Sequence, residues 1–345
     1  MCPGKIAIRV LRYMLIAVVA ARSVAVASAN DSTAELTTGG LVFDKTPAIE
    51  MRAEDLFISE KEIRVGYRFF NSSPRDVATI VAFPMPDIAW DGPDVNVAVP
   101  SQDPLNFLDF HTLADGQAVA AEVEQKALVK GIDVTARFRS LGIPLAPQLE
   151  STWKALDALP AAMQRQLLDD GAVQSDDYDV GKGMEHHLQP AWTLKTTYFW
   201  RQTFPAGREI VIEHRYLPSV GETVGTMLGS PDIEAQSLQH YKDAYCVDAD
   251  FLASARRAMS KPDKYGSVSS PFYERRIAYI LTTGANWAGP IGDFHLTVDK
   301  GAADSLVSFC SDGVKKVSST RFEVRHANFT PAHELQVLIL YRPRH

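Results

Sequence analysis

The sequence predicts a mainly β protein built as two β-rich, sandwich-like units, with a short helical insertion in the first and one helix in the second. Three observations carry that expectation. Apolar residues alternate at period two over several stretches, and clusters of Gly, Pro, Asn, Asp and Ser separate those stretches. Helical spacing surfaces only briefly.

Residues 1–29 are expected to be a signal peptide rather than part of the fold. Lys5, Arg9 and Arg12 give a positive start with no acid before Asp31, and Tyr13 to Ala21 form an apolar run. That run is shorter than the roughly 20 apolar residues that cross a bilayer. Ala27-Ser28-Ala29 supplies the small-x-small pattern a signal peptidase accepts, which places cleavage before Asn30 and the mature protein in the periplasm. An uncleaved membrane anchor is the alternative reading. Cleavage would remove four basic residues, Lys5, Arg9, Arg12 and Arg22, and leave a chain more acidic than the formal −7 of the whole sequence. Such a chain has no electrostatic reason to bind nucleic acid or an anionic lipid surface. No second long apolar run follows, so no transmembrane segment is expected in the mature chain. Its length exceeds that of one usual core, and domains over 30–225 and 232–345 are expected, divided by the Gly- and Pro-containing stretch from Val220 to Pro231.

Ala48 to Ile58 opens a sheet. Ile63, Val65, Tyr67 and Phe69 then share one strand face, with Glu62, Arg64, Gly66 and Arg68 on the other. A turn over Asn71 to Asp76 leads into Val77 to Phe83, giving a three-stranded meander that Pro84 and Pro86 end. Residues 87–104 read as loop, and Asp115-Gly116 as the turn of a hairpin. Leu149, Trp153 and Leu156 fall at helical spacing, and Met163 to Leu168 suggest a second short helix ending near Gly171, with Pro160 in its first turn. The helical insertion therefore covers about 133–171. Trp192 to Leu217 reads as two strands around Pro205-Ala206-Gly207, with an aromatic row, Trp192, Tyr198, Trp200 and Phe204, expected as sheet core. A strand ending near Val247, a helix from Ala249 to Met259 capped by Asp248 or Asp250, and strands over about 273–283, 291–298, 321–325 and 335–341 complete the second unit.

Of the three cysteines, Cys246 and Cys310 lie beyond the cleavage site, and export would expose both to oxidation. A Cys246–Cys310 disulfide is expected; two buried free thiols are the alternative.

Several blocks resemble the bacterial exported family of domain of unknown function 4424. They are Asn30 to Glu35 with Gly39-Gly40-Leu41, Ile49 to Leu56, Val81-Ala82-Phe83-Pro84-Met85-Pro86-Asp87, Trp200 to Tyr216, and Thr283 to Phe294. The resemblance covers nearly the whole mature chain. It implies location and fold, and it carries no set of catalytic residues.

Enzyme motifs are scarce. There is no phosphate-binding loop, dinucleotide fingerprint or nucleophile elbow, and His333-Glu334 starts a zinc-protease pattern that Val337 breaks. Two segments rise above background. In residues 169–187, Asp176, Asp177, Asp179, Glu185, His186 and His187 offer oxygen ligands for calcium or imidazoles for zinc, although adjacent histidines on a strand point to opposite faces. The plainer reading is a solvated acidic loop. In the Gly284 to Gly292 connection, Asn286, Trp287, Asp293 and His295 could form a ligand site with Trp287 as a stacking surface, or Trp287 could fold back over the sheet. The leading expectation is a non-catalytic binding or interaction protein of the cell envelope, whose partner would be an envelope protein or a glycan. The rival is a periplasmic hydrolase or metal-binding protein assembled from dispersed His, Asp and Glu residues.

Overall fold

A computed structural model describes residues 32–37, 40–89, 96–179, 181, 183–261 and 268–343. The expected signal peptide lies outside the described residues. In chain order the strands begin with β1 (Ser32–Thr37), β2 (Gly40–Asp44), β3 (Ile49–Ser59), β4 (Ile63–Asn71), β5 (Val77–Pro84), β6 (Asn96–Ala98), β7 (His111–Ala114), β8 (Gln117–Val119), β9 (Glu122–Val129) and β10 (Ile132–Asp133). Helices α1 (Thr135–Ser140), α2 (Glu150–Asp157) and α3 (Ala161–Asp170) form the expected insertion. After them come β11 (Val173–Asp179), β12 (Met184–Pro190), β13 (Thr193–Phe204), β14 (Glu209–Tyr216) and β15 (Val220–Thr223). The chain closes with α4 (Ala235–Tyr245), α5 (Ala249–Ala258), β16 (Tyr273–Tyr279), β17 (Ile291–Asp299), β18 (Leu306–Phe309), β19 (Lys315–Lys316), β20 (Arg321–Phe329) and β21 (Leu335–Tyr341).

The protein is mainly β, as expected. Its largest sheet has eight strands in the order β19-β20-β17-β3-β4-β14-β7-β8; a six-stranded sheet runs β10-β9-β13-β5-β1-β2 and a five-stranded one β18-β21-β16-β15-β6. The alternation read for β4 holds, with Ile63, Val65, Tyr67 and Phe69 buried and their neighbours turned outward. Ile210, Ile212, His214 and Tyr216 of β14 turn the same way. These inner faces meet the aromatic row of the six-stranded sheet: Phe69 packs on Phe204 at 5.8 Å between centroids, and His214 sits 4.7 Å from Phe83 and 5.3 Å from Trp200. Tyr279 of the five-stranded sheet joins the same core, where its hydroxyl pairs with that of Tyr67 at 3.0 Å and donates to the buried Glu54 at 3.5 Å. One core cluster draws on all three sheets.

Two expected pairings are replaced by corners. β5 leaves the sheet of β3 and β4 and joins β13 and β1, so residues 48–83 do not form a three-stranded meander. β13 and β14 likewise part company into different sheets. The buried Asn71 explains both changes. Its side-chain nitrogen donates to the carbonyls of Arg75 and Phe204, each at 2.8 Å, and its side-chain oxygen accepts from the Ser73 amide at 2.9 Å. Gly207 N–H donates to Asn71 O at 3.0 Å. The two turns are thereby stitched together, and β14 occupies the edge of β4 that a meander would give to β5.

The stretch expected to divide the chain, Val220 to Pro231, contains β15, which pairs with β6 before it and β16 after it. β17 adds parallel to β3, so the eight-stranded sheet also takes strands from both sides of that stretch. Gly292 is required where the two meet: a Cβ there would lie 2.6 Å from the carbonyl oxygen of Arg52, beside the register shift between Met51 and Ala53. Helix α4 stands where a strand ending near Val247 was expected. Leu238, Tyr241 and Tyr245 lie on its packed face at helical spacing, a period hidden by the polar residues between them. The carboxylate of Asp248 caps α5 by accepting from the Phe251 amide at 2.7 Å. Cys246 ends α4 and is joined to Cys310, just past β18, with Cα atoms 5.0 Å apart.

Candidate ligand-binding site

The outward face of the eight-stranded sheet holds a trough of about 840 Å³. Strand register builds it from two adjacent rows. In the first, His295 of β17, Asp55 of β3, Gly66 of β4, Glu213 of β14 and Leu113 of β7 are successive cross-strand partners. In the second, two residues along each strand, the partners are Thr297, Phe57, Arg64, Arg215 and His111. Arg321 and Glu323 of β20 close one side. Side chains on a pleated sheet alternate faces, so the same period that buries Tyr67 and Ile212 inside delivers these residues outside.

Gly66 opens the floor. Glycine in a strand interior costs stability, and it often marks a place where a ligand or another backbone comes close. Neither packing nor conformation demands it here: a Cβ at 66 would meet nothing within 4 Å, and Gly66 is not among the residues with positive φ.

The charges are arranged by sign. Glu62 holds Arg64 and Arg215 with its two oxygens, each 3.3 Å from an arginine Nε. Arg321 Nε donates to Asp299 at 2.9 Å. Burial raises the Asp299 carboxyl, but hydrogen bonds from Arg321, the Gly301 amide and Thr320 outweigh it and hold the group below its ordinary value. Phe57 lies between two guanidinium groups, with the carbon of Arg64 at 4.6 Å and that of Arg321 at 5.8 Å from its ring centre. His295 reaches Asp55 through Nδ1 at 3.4 Å and lies 3.6 Å from Glu323 through Nε2, which is buried and has no hydrogen bond.

Of the four residues expected near the Gly284 to Gly292 connection, His295 enters the trough and Asp293, exposed, lies one step along the same strand face. The other two point elsewhere. Trp287 is buried and packs 4.3 Å from Phe69, so it covers the sheet and presents no stacking surface. Asn286 donates to the Ser32 hydroxyl at 2.9 Å.

The expected metal residues form the hairpin β11–β12. Asp177 bonds His186 at 2.8 Å, while His187 bonds Asp157 of α2 at 2.7 Å and Glu185 at 3.3 Å. Asp179 accepts from the amides of Gly181 and Gly183 and so shapes the turn. Asp176 faces His187 in the register. Among the described residues no group of three or more His, Cys, Asp or Glu side chains is placed to hold a metal ion. The hydrogen bond that His187 donates to Asp157, and then the one it donates to Glu185, raise the His187 pKa above its ordinary value.

Phe57, Arg64, Gly66, Glu213, Arg215 and Arg321 were not singled out by motif or spacing. The available signal was Gly66 itself, a glycine between two arginines on the polar face of an otherwise regular strand.

Fold and trough together define a mainly β chain with a charged cleft on one sheet face. The chain belongs to the family described as domain of unknown function (DUF4424), which matches residues 29–338. No curated protein matches it. Among solved structures, it is similar to a Legionella pneumophila protein described provisionally as a nutrient binding protein, at 16% identity and a TM-score of 0.44, over 91% of this chain and 70% of that one.

Proposed function

We propose that this is an exported, non-catalytic binding protein of the bacterial cell envelope, and that it holds a small solute in the trough of the eight-stranded sheet. The observation that carries the reading is the bare glycine at the centre of a charged, walled sheet face, with no packing or backbone reason for its presence. The walls stand on central strands rather than on loops, which preorganises them. Export is supported by the charged start, short apolar run and Ala27-Ser28-Ala29 of the sequence, and by a family match that begins at residue 29.

The test is a thermal-shift survey of small amino acids, organic acids, amines and sugars on the native protein and on Gly66→Trp, which sets an indole over the open floor of the trough. Solutes that raise the melting temperature of the native protein should fail to do so in the variant. Solutes that protect both equally would place binding elsewhere. Amino-terminal sequencing of protein recovered from the periplasm should begin at Asn30, and Met1 on the mature protein would refute cleavage.

A further inference from the structure

The trough separates its charges into two rows, and we propose that its ligand is a small zwitterion of the α-amino-acid class with an apolar side chain. This rests on the trough being the binding site, as argued above.

The acidic row comes first. Asp55 and Glu213 flank Gly66 on the neighbouring strands, so their Cα atoms lie roughly 10 Å apart across the bare glycine, twice the usual strand spacing. That gap suits a cationic group bridging two carboxylates. Glu213 has no hydrogen-bond or ion-pair partner among the described residues, and Asp55 meets only His295, through one oxygen. An ammonium over Gly66 would give both acids a charge-assisted partner.

The basic row lies two residues along the strands. Arg64 and Arg215 are direct cross-strand partners, an arrangement in which like charges oppose pairing. Glu62 offsets the repulsion only in part, because it meets both arginines at Nε. Arg321 is also held at Nε, by Asp299. In all three the terminal guanidinium nitrogens have no bonded partner among the described residues. Two such groups flank the Phe57 ring and the third, that of Arg215, stands cross-strand from Arg64, so that together they are poised to receive a carboxylate. Phe57, half-buried between Arg64 and Arg321, offers an apolar surface beside them.

A purely anionic ligand would leave Asp55 and Glu213 facing its own charge, and a purely cationic one would leave the arginines so. A zwitterion meets both rows, in a trough whose acidic and basic residues balance.

Three probes that share one ring separate these cases: L-phenylalanine, 3-phenylpropionate, which lacks the ammonium, and phenethylamine, which lacks the carboxylate. Calorimetric titration of the native protein should show L-phenylalanine binding about 10-fold or more tighter than either single-charge probe. Glu213→Gln should remove most of the advantage over 3-phenylpropionate, and Arg64→Gln with Arg215→Gln most of the advantage over phenethylamine. Both variants should keep the native circular dichroism spectrum. Equal affinity for L-phenylalanine and either analogue would overturn the proposal. So would the absence of L-phenylalanine binding while other solutes still protect the native protein and not Gly66→Trp, a result that would leave the trough reading intact. Solute binding that Gly66→Trp leaves unchanged would defeat both.

Discussion

The β11–β12 hairpin and the trough are both crowded with ionisable side chains, but they use them differently. In the hairpin Asp177 is satisfied by His186, His187 by Asp157 and Glu185, and Asp179 by two turn amides. In the trough Glu213 stands without a partner among the described residues, and the arginines are anchored only through Nε. The first pattern closes a local structure. The second keeps hydrogen-bonding capacity directed at open space of about 840 Å³. A charge-rich sequence segment is therefore a poor guide to a site; what marks one is charge held in place with its terminal atoms left over.

The first and largest change lies in neither region. Replacing Cys246 and Cys310 by Ser removes a covalent closure spanning a sequence separation of 64. The chain-entropy relation gives a loss of about 4 kcal/mol for such a loop, with a realised loss of roughly 2–4 kcal/mol. Urea denaturation measures it, and solute binding below the transition should be unaffected. A binding change of comparable size would couple the trough to the α4–β18 region and blur the distinction.

Asn71→Ala attacks the corners that aim β4 and β14 and so position both rows. It strands the buried carbonyl of Phe204 and removes the hydrogen bond to the carbonyl of the exposed Arg75, and a loss of about 1–3 kcal/mol is expected by denaturation. A loss below about 0.5 kcal/mol, within the range of ordinary surface substitutions, would show that the corners hold without it.

The trough arginines should behave in the opposite way. Arg64→Gln combined with Arg215→Gln breaks exposed ion pairs and relieves a like-charge opposition, so stability should stay within about 0.5 kcal/mol of the native protein. A loss above about 2 kcal/mol would make these arginines structural, like the charges of the hairpin.

The smallest effect concerns the hairpin's hold on α2. The His187 pKa is raised in the fold, so its protonated form contributes stability that is fully present below the unfolded value of about 6.5 and is lost as pH rises through the folded value. Hydrogen exchange at the Leu188 amide, which donates to Asp157 at 3.1 Å, reads that contact. Its protection factor should fall as the pH is raised across that window, and a protection factor that rose would contradict the assignment.

The inward alternation of Ile63 to Phe69, the helices around Trp153 and Leu167, the Asp248 cap and the cysteine pairing were legible in sequence because each depends on local spacing or chemistry. The corners at Asn71 and at Pro205 to Gly207 were not, since the same turn residues serve a hairpin or a change of sheet, and Phe204 decides between them from across the chain. The parallel pairing of β17 with β3 was hidden for the same reason. Of the trough, Arg64 and Gly66 were visible as one strand's polar face. Arg215, Arg321 and Glu213 reach them only through register between distant strands, which no single stretch encodes.

The central claim, that the sheet-face trough is a ligand site, is tested most directly by a crystal structure of the native protein grown with the solute that gives the largest Gly66-dependent thermal shift. That solute is expected over Gly66, contacting Asp55 or Glu213 on one side and Arg64 or Arg215 on the other. An empty trough with the solute bound elsewhere on the molecule would contradict it.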